Sequence, residues 1–371
     1  MSLSRIVTTR VLSTVFVFLA CAAWASAALA AAGQYVGPVD VVASPDQKSL
    51  YVVAADAGQI MVVDVASGKT TKSISCPDTP SGLTVSPDGA KLYVTCGGPK
   101  GVVCVVETGS GNVVSTIAVG HTPRSPVLLP DGKRLVVCNQ FTDDVSFIDL
   151  AARKESARVK AIREPYGVAA SPDGSLVFVT NLLPVDASDS YDVASEVTVI
   201  ETATLETSSI RLPNGSSSVH EVCVSPDGTY AYVAHILSRY QMPTTQLERG
   251  WMNTNALSII DVAERKLLNT VLLDDIDLGA ANPWGVATTA DGKRIIVSHR
   301  GTHELSVIDA EGLIEKLKSI PKTIEEAKKV GRYDTQGTYS SVTVDDVPND
   351  LAFLVDLRRR VQLRRGGPWG L

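Results

Sequence analysis

Three histidines, His220, His235 and His299, are the residues whose type and placement could hold a metal. Neutral imidazoles suit zinc, copper or iron, and three of them leave a coordination position open for a reacting molecule. No His-x-His or His-x3-His ligand pair occurs, and His299 and His303 stand across a loop, so hydrogen bonding to loop backbone is the competing role. A second set, Arg239, Tyr240, Glu248, Arg249, Trp251 and Asn253, crowds one polar stretch, with Trp284 further on. Arginine beside large aromatics is the composition of interface hot spots. The same side chains could instead pin a long loop. No Gly-x-Ser-x-Gly, phosphate-binding glycine loop or evident carboxylate pair is present, so no catalytic residue is assigned.

Cysteine chemistry is bounded in the same way. Past Cys21 there are five cysteines, Cys76, Cys96, Cys104, Cys138 and Cys223, an odd number. Without a Cys-x-x-Cys-His motif the chain attaches no covalent c-type haem. Cys96 and Cys104 fall on opposite arms of one hairpin and could pair in an oxidising compartment, or remain buried thiols.

These residues must be positioned by a repeat. Ser-Pro-Asp-Gly returns six times with variations, its aspartates Asp46, Asp88, Asp131, Asp173, Asp227 and Asp291 spaced by 42, 43, 42, 54 and 64 residues. Proline presets the second position of a tight turn and glycine suits the fourth. Short apolar runs flank each copy, as Leu83–Val85 and Leu92–Val94 do. That is hairpin grammar, and four strands per 40 to 45 residues is the signature of a propeller blade. The expected fold is all-β: a β-propeller of four-stranded blades, of a seven-bladed family with about six blades present.

The irregular parts are three. Insertions at 182–195 and 236–255 occupy the loop between second and third strands of blades four and five. A third, 311–357, should carry helices: one with Leu313, Ile314, Leu317 and Ile320 inward and stopped by Pro321, a second around Ile324, Ala327 and Val330, and a third opened by Pro348. Gly367-Pro368-Trp369-Gly370-Leu371 copies Asn282-Pro283-Trp284-Gly285-Val286, the opening of a blade, so the seventh blade is expected to be missing. Propeller topology then places all five histidines and both long polar loops on the face opposite the Ser-Pro-Asp-Gly turns.

The first thirty residues carry only Arg5 and Arg10 as charges, an apolar run from Val11 to Ala23 and the small-x-small phrase Ala28-Leu29-Ala30. Residues 1–30 therefore read as a signal peptide cleaved near Ala30, with lipidation at Cys21 as the alternative. Residues 31–371 form the propeller, expected to be periplasmic or extracellular, with no membrane span and monomeric. The formal net charge of −6 gives no basis for nucleic-acid binding, and the arginine-rich run at 358–365 reads as a solvated edge.

Tyr93-Val94-Thr95-Cys96, Phe178-Val179-Thr180-Asn181 and Tyr232-Val233-Ala234-His235 follow their turns in a pattern that resembles the YVTN-type β-propeller repeat of bacterial exported proteins. The stretch from Leu237 to Asp261, Asn282–Val286 and Gly301–Ser306 resemble the propeller that precedes a cytochrome c peroxidase-like domain in larger exported proteins. The resemblance implies an electron-transfer setting and a protein partner or downstream cytochrome domain, whereas no haem domain is present in this sequence. The function expected first is a scaffold whose histidine-bearing face binds that partner. The alternatives are a metal- or haem-dependent redox enzyme or lactonase-like hydrolase at the channel axis, and a surface-layer or adhesive module.

Overall fold

A computed structural model describes residues 36–239, 252–332 and 341–363. The segment expected to be a signal peptide, the middle of the blade-five loop and the expected start of a seventh blade lie outside these residues. One compact unit, Pro38–Leu371, carries everything below. Among the described residues no helix is long and apolar enough to cross a membrane.

The fold is a β-propeller with six antiparallel blades of four strands each, in simple sequential order. Their first strands are Pro38–Ala43, Pro80–Val85, Pro123–Leu128, Pro165–Ala170, Ser216–Val224 and Pro283–Thr288. These inner strands pack on one another in succession, from blade one through to blade six. Among the described residues, no packing of that extent joins the inner strand of blade six to that of blade one.

Why the runs are so apolar is now visible, because both faces of a blade are buried against neighbours. Leu83, Leu92 and Val94 of blade two form one core with Tyr51 and Ile60 of blade one. Tyr93, between Leu92 and Val94 on the second strand, instead joins Val103 and Val105 of the third strand against Leu135 and Ile148 of blade three. Burying each such side chain contributes roughly 1.5–3 kcal/mol, so the five inter-blade layers hold the fold together.

The Ser-Pro-Asp-Gly turns close as expected, with Gly89 N–H donating to the Ser86 carbonyl at 2.8 Å. The Ser86 hydroxyl donates to Asp88 at 2.5 Å, which accounts for the aspartate: it is a turn former. Gly89 has φ of 70°, a conformation glycine adopts without strain, and a Cβ there would meet Pro45 of the preceding turn at 3.3 Å.

The insertions differ in kind. Ala310–Ser319 is a helix that buries Leu313, Ile314 and Leu317 against the blade-five/blade-six core, capped by Asp309. Ile324–Lys329 is a second, capped by Thr323. The third expected helix is instead a 3-10 turn, Val344–Asn349, with Pro348 inside it rather than opening it. The Asp350 carboxylate ends it by accepting from Ser341 and Ala352, and the chain continues in turns that bury Phe353 and Leu354. In blade five the 236–255 insertion begins as paired strand, Ile236 opposite Asn255 through Ser238 opposite Asn253.

Arg358 and Arg360 overturn the solvated-edge reading. They lie on the fourth strand of blade six, with side chains only 4% and 13% exposed. Both pair with Asp275 in the preceding connector, and Arg360 also grips Glu304 in the bidentate manner guanidinium favours.

Inner strands approach so closely that some positions exclude a side chain. A Cβ on Gly167 would lie 2.4 Å from the His220 carbonyl oxygen and 2.9 Å from Glu221 Cα. Gly167→Ala is expected to lower stability by about 1–3 kcal/mol, the usual range for overpacking, in urea unfolding monitored by circular dichroism. An unchanged midpoint would contradict this close approach of blades four and five.

Candidate functional site

Register places one residue of every inner strand at the same level around the channel: Val39, Ser81, Arg124, Tyr166, His220 and Trp284. Each follows a proline that opens its strand, except in blade five, where the strand begins at Ser216 and Val219 stands at the equivalent place. All six line one cavity of about 340 Å³. Three are aromatic rings in contact. His220 stacks on Trp284 with centroids 3.5 Å apart and planes 18° apart. Tyr166 meets His220 edge-on at 5.1 Å and Trp284 at 6.1 Å.

Two guanidiniums extend this collar. Arg124 lies 4.8 Å from the Tyr166 ring centre, its Nε held by Gln140 at 2.6 Å. Arg300, from the loop after the second strand of blade six, lies 5.1 Å from the Trp284 ring centre. Such cation–ring contacts contribute on the order of 0.5–2 kcal/mol each. A larger cleft of about 590 Å³ lies between blades two and three, on the side of the Ser-Pro-Asp-Gly turns, and Asp131 in its lining is paired with Arg134.

One residue further along the inner strands come Asp40, Gly82, Ser125, Gly167, Glu221 and Gly285. The two carboxylates do equivalent work. Asp40 accepts the N–H of Leu83 in blade two at 2.9 Å, and Glu221 accepts that of Val286 in blade six. Burial in the channel wall pushes the Asp40 carboxyl up to about 6. Burial, and then the Asp40 charge, push Glu221 up to about 8. His220 is driven the other way, to about 4, by burial and then by Arg300 and Arg124. At neutral pH the imidazole is therefore uncharged and Glu221 largely protonated.

The three histidines do not come together as ligands. His235 Nε2 and Ser258 Oγ share a hydrogen bond of 2.8 Å, and Nδ1 faces the Ile236 carbonyl at 3.0 Å. His299 Nε2 is 2.8 Å from Ser306 Oγ. Both are inside their own blades and fully buried. No group of three His, Cys, Asp or Glu side chains among the described residues is arranged to hold a metal ion. Asparagine does the same task elsewhere: Asn139 donates to Ser146 at 2.8 Å and Asn181 to Thr198 at 3.0 Å. The expectation failed because His235 and His299 occupy a repeat position, the last residue of the Tyr-Val-Thr-Asn phrase, whose role is to brace strands two and three.

Of the expected partner-binding set, Trp284 is in the collar. Arg239 is half-buried at the edge of the blade-five loop, with Nε and one terminal nitrogen lacking hydrogen-bond partners among the described residues. Asn253 is exposed at the start of a strand. Tyr240, Glu248, Arg249 and Trp251 lie outside the described residues. Arg124, Tyr166 and Arg300 were missed. The Pro-x-Gly opening of blades two, four and six was a signal for Tyr166, and the matching Pro123-Arg124-Ser125 for Arg124, whereas Arg300 lies outside that pattern.

No family model matches the chain. It is 29% identical over 158 residues to hydrazine synthase subunit beta of Kuenenia stuttgartiensis, a match covering 42% of this chain and 39% of that protein's length. Against a solved chain of Kuenenia stuttgartiensis hydrazine synthase the TM-score is 0.77 at 26% identity, covering 91% of this chain and 89% of that one. The propeller is therefore shared with a protein named as one subunit of an enzyme.

Glu221 gives the collar a pH signature. Its folded pKa lies above the unfolded value of 4.5, so stability is fully present below 4.5 and is lost as pH rises towards about 8. Glu221→Gln should remove that loss, so thermal midpoints measured from pH 5 to pH 8.5 should decline less steeply than for the wild type. Parallel curves would show that Glu221 is not held neutral.

Proposed function

We propose that this chain is an exported propeller scaffold that works as a subunit of a multi-subunit redox enzyme, its collar face docking a c-type cytochrome or cytochrome domain. The observation that carries the reading is the collar itself. Tyr166, His220 and Trp284 are in mutual contact at one level of the channel, flanked by Arg124 and Arg300. Rigid aromatics and arginine are the side chains from which interface hot spots are built. The similarity to a protein named as a synthase subunit supports assembly with other chains. The signal-peptide pattern and the likeness to exported YVTN propellers support the periplasmic or extracellular setting.

The scaffold reading is favoured over a metal-dependent enzyme because His235 and His299 are committed to Ser258 and Ser306. His220 stands against an indole rather than beside other ligands.

The test is recovery of the tagged chain from its own cells under native conditions. An assembly larger than the single chain, containing a haem-staining polypeptide, is expected. Trp284→Ala combined with Arg300→Ala should weaken binding of that polypeptide by tenfold or more, about 1.4 kcal/mol, with an unchanged far-ultraviolet spectrum. A chain that elutes alone without haem, or a variant of full affinity, would overturn the assignment.

A further inference from the structure

Blade two breaks the brace that blades three and four share. In those blades the asparagine ending strand two reaches in two directions. Asn139 donates to Ser146 and accepts from Gly120 N–H in the preceding connector at 2.9 Å. Asn181 donates to Thr198 and accepts from Ile162 N–H at 3.1 Å. The brace thus ties connector, strand two and strand three together.

In blade two the matching connector position is Pro77, which has no N–H to give. The asparagine is replaced by Cys96 and the strand-three hydroxyl by Cys104, while Cys76 immediately precedes the proline. All three thiols are free and share one core, Cys96 and Cys104 fully buried and Cys76 partly exposed. Proximity to Cys96 draws Cys76 and Cys104 towards thiolate, while the same two neighbours and burial push the Cys96 thiol up. Where blades three and four close the brace with hydrogen bonds, this one has a sulfur on strand two, a sulfur on strand three and a third beside the connector proline.

We infer that Cys76, Cys96 and Cys104 form a thiol–disulfide exchange site, whose oxidised state carries a Cys76–Cys96 disulfide with Cys104 as the remaining thiol. Sheet geometry weighs against a Cys96–Cys104 bond. Cys96 stands opposite Val102 and Cys104 opposite Val94 in unbroken register, so the two cysteines are diagonal neighbours. Diagonal positions are roughly 7–8 Å apart, with Cβ atoms somewhat closer, which is still wider than the Cβ separation of about 3.5–4.5 Å that a disulfide needs. Cys76, in a connector, is not bound by that register. It is also the cysteine that solvent reaches, so it meets the oxidant first.

The co-reactant is a small or protein-borne disulfide. The Cys76 thiolate attacks one of its sulfurs and expels a thiolate, giving a mixed disulfide. Cys96 loses its proton and displaces the second thiolate, leaving the Cys76–Cys96 bond. Two electrons and two protons pass to the co-reactant, which departs as two thiols. The product staples the end of blade one to the second strand of blade two. This site is independent of the collar and of the proposed docking.

Trypsin separates the three cysteines onto peptides 73–91, 92–100 and 101–124, so the pairing can be read directly. The folded full chain is incubated with oxidised glutathione, alkylated, unfolded, alkylated with a second mass label and digested. The expected result is peptide 73–91 linked to 92–100, with 101–124 carrying a single label. Cys104→Ser should keep the link, and Cys76→Ser should abolish it. Dithiothreitol should lower the thermal midpoint of the oxidised wild type by several degrees and leave Cys76→Ser unmoved. Three singly labelled peptides, a glutathione adduct on Cys76 alone, or a link between 92–100 and 101–124 would each overturn the inference. Should Cys76→Ser fail to fold, the wild-type map and Cys104→Ser still decide it.

Discussion

The inner strands lie so close around the channel that main chain touches main chain, and most of the structure follows from that contact. Gly167 faces the His220 carbonyl, and a Cβ on Gly82 would be 3.0 Å from Ser125 N. The hydroxyl of Thr180 spans the same joint, bonded to Gly167 N–H at 2.8 Å and donating to the His220 carbonyl at 3.2 Å. Only a hydrogen atom fits at some of these positions, so the side chain one residue earlier is the one free to project at the channel mouth. The collar is the set of residues the close approach leaves room for. Asp40 and Glu221 mark two junctions where a side chain replaces glycine and bonds the next blade's backbone.

That geometry explains an electrostatic pattern that composition hides. A chain of net charge −6 places arginines, not carboxylates, beside the rings at the collar. Beneath them the channel holds two carboxyls whose burial opposes ionisation. A charge at that depth has little water to stabilise it, so Glu221, pushed up to about 8, is largely protonated at neutral pH, while Asp40, pushed up to only about 6, still ionises. His220, pressed between the same arginines and the Trp284 ring, stays uncharged for the complementary reason. The mouth therefore presents flat rings with cationic flanks, a surface that an aromatic or acidic group on a partner can meet.

The propeller was legible in the sequence because its two signals are local. Turn chemistry such as Ser86 to Gly89 and apolar runs such as Leu92–Val94 each report on a few neighbouring residues, and both matched the observed hairpins to within a residue or two. The site was not legible in the same way, because its members lie in different blades and meet only through register. His235 and His299 drew attention by residue type, yet their neighbours in the repeat are Asn139 and Asn181, which do the same bracing. Reading each histidine by its place in the repeat, rather than by its chemistry, would have separated His220 from the other two. The third helix failed for a different reason: Pro348 permits a helical start, but the Thr343–Asp346 capping box sets the start earlier, and Asp350 terminates the turn.

The repeat also offers a way to distinguish support from function at every position. A residue whose equivalents in other blades make the same kind of contact is supporting the fold, however reactive its side chain. Asn139, Asn181, His235 and His299 meet that test. The collar fails it, since Val39, Ser81, Arg124, Tyr166, His220 and Trp284 have no chemistry in common and share only a level. Variation of that kind at a position fixed by the fold is what a recognition surface requires, because the backbone is specified by glycine and threonine contacts while the projecting side chain is free to be chosen. The collar is therefore the part of this propeller that its architecture does not account for.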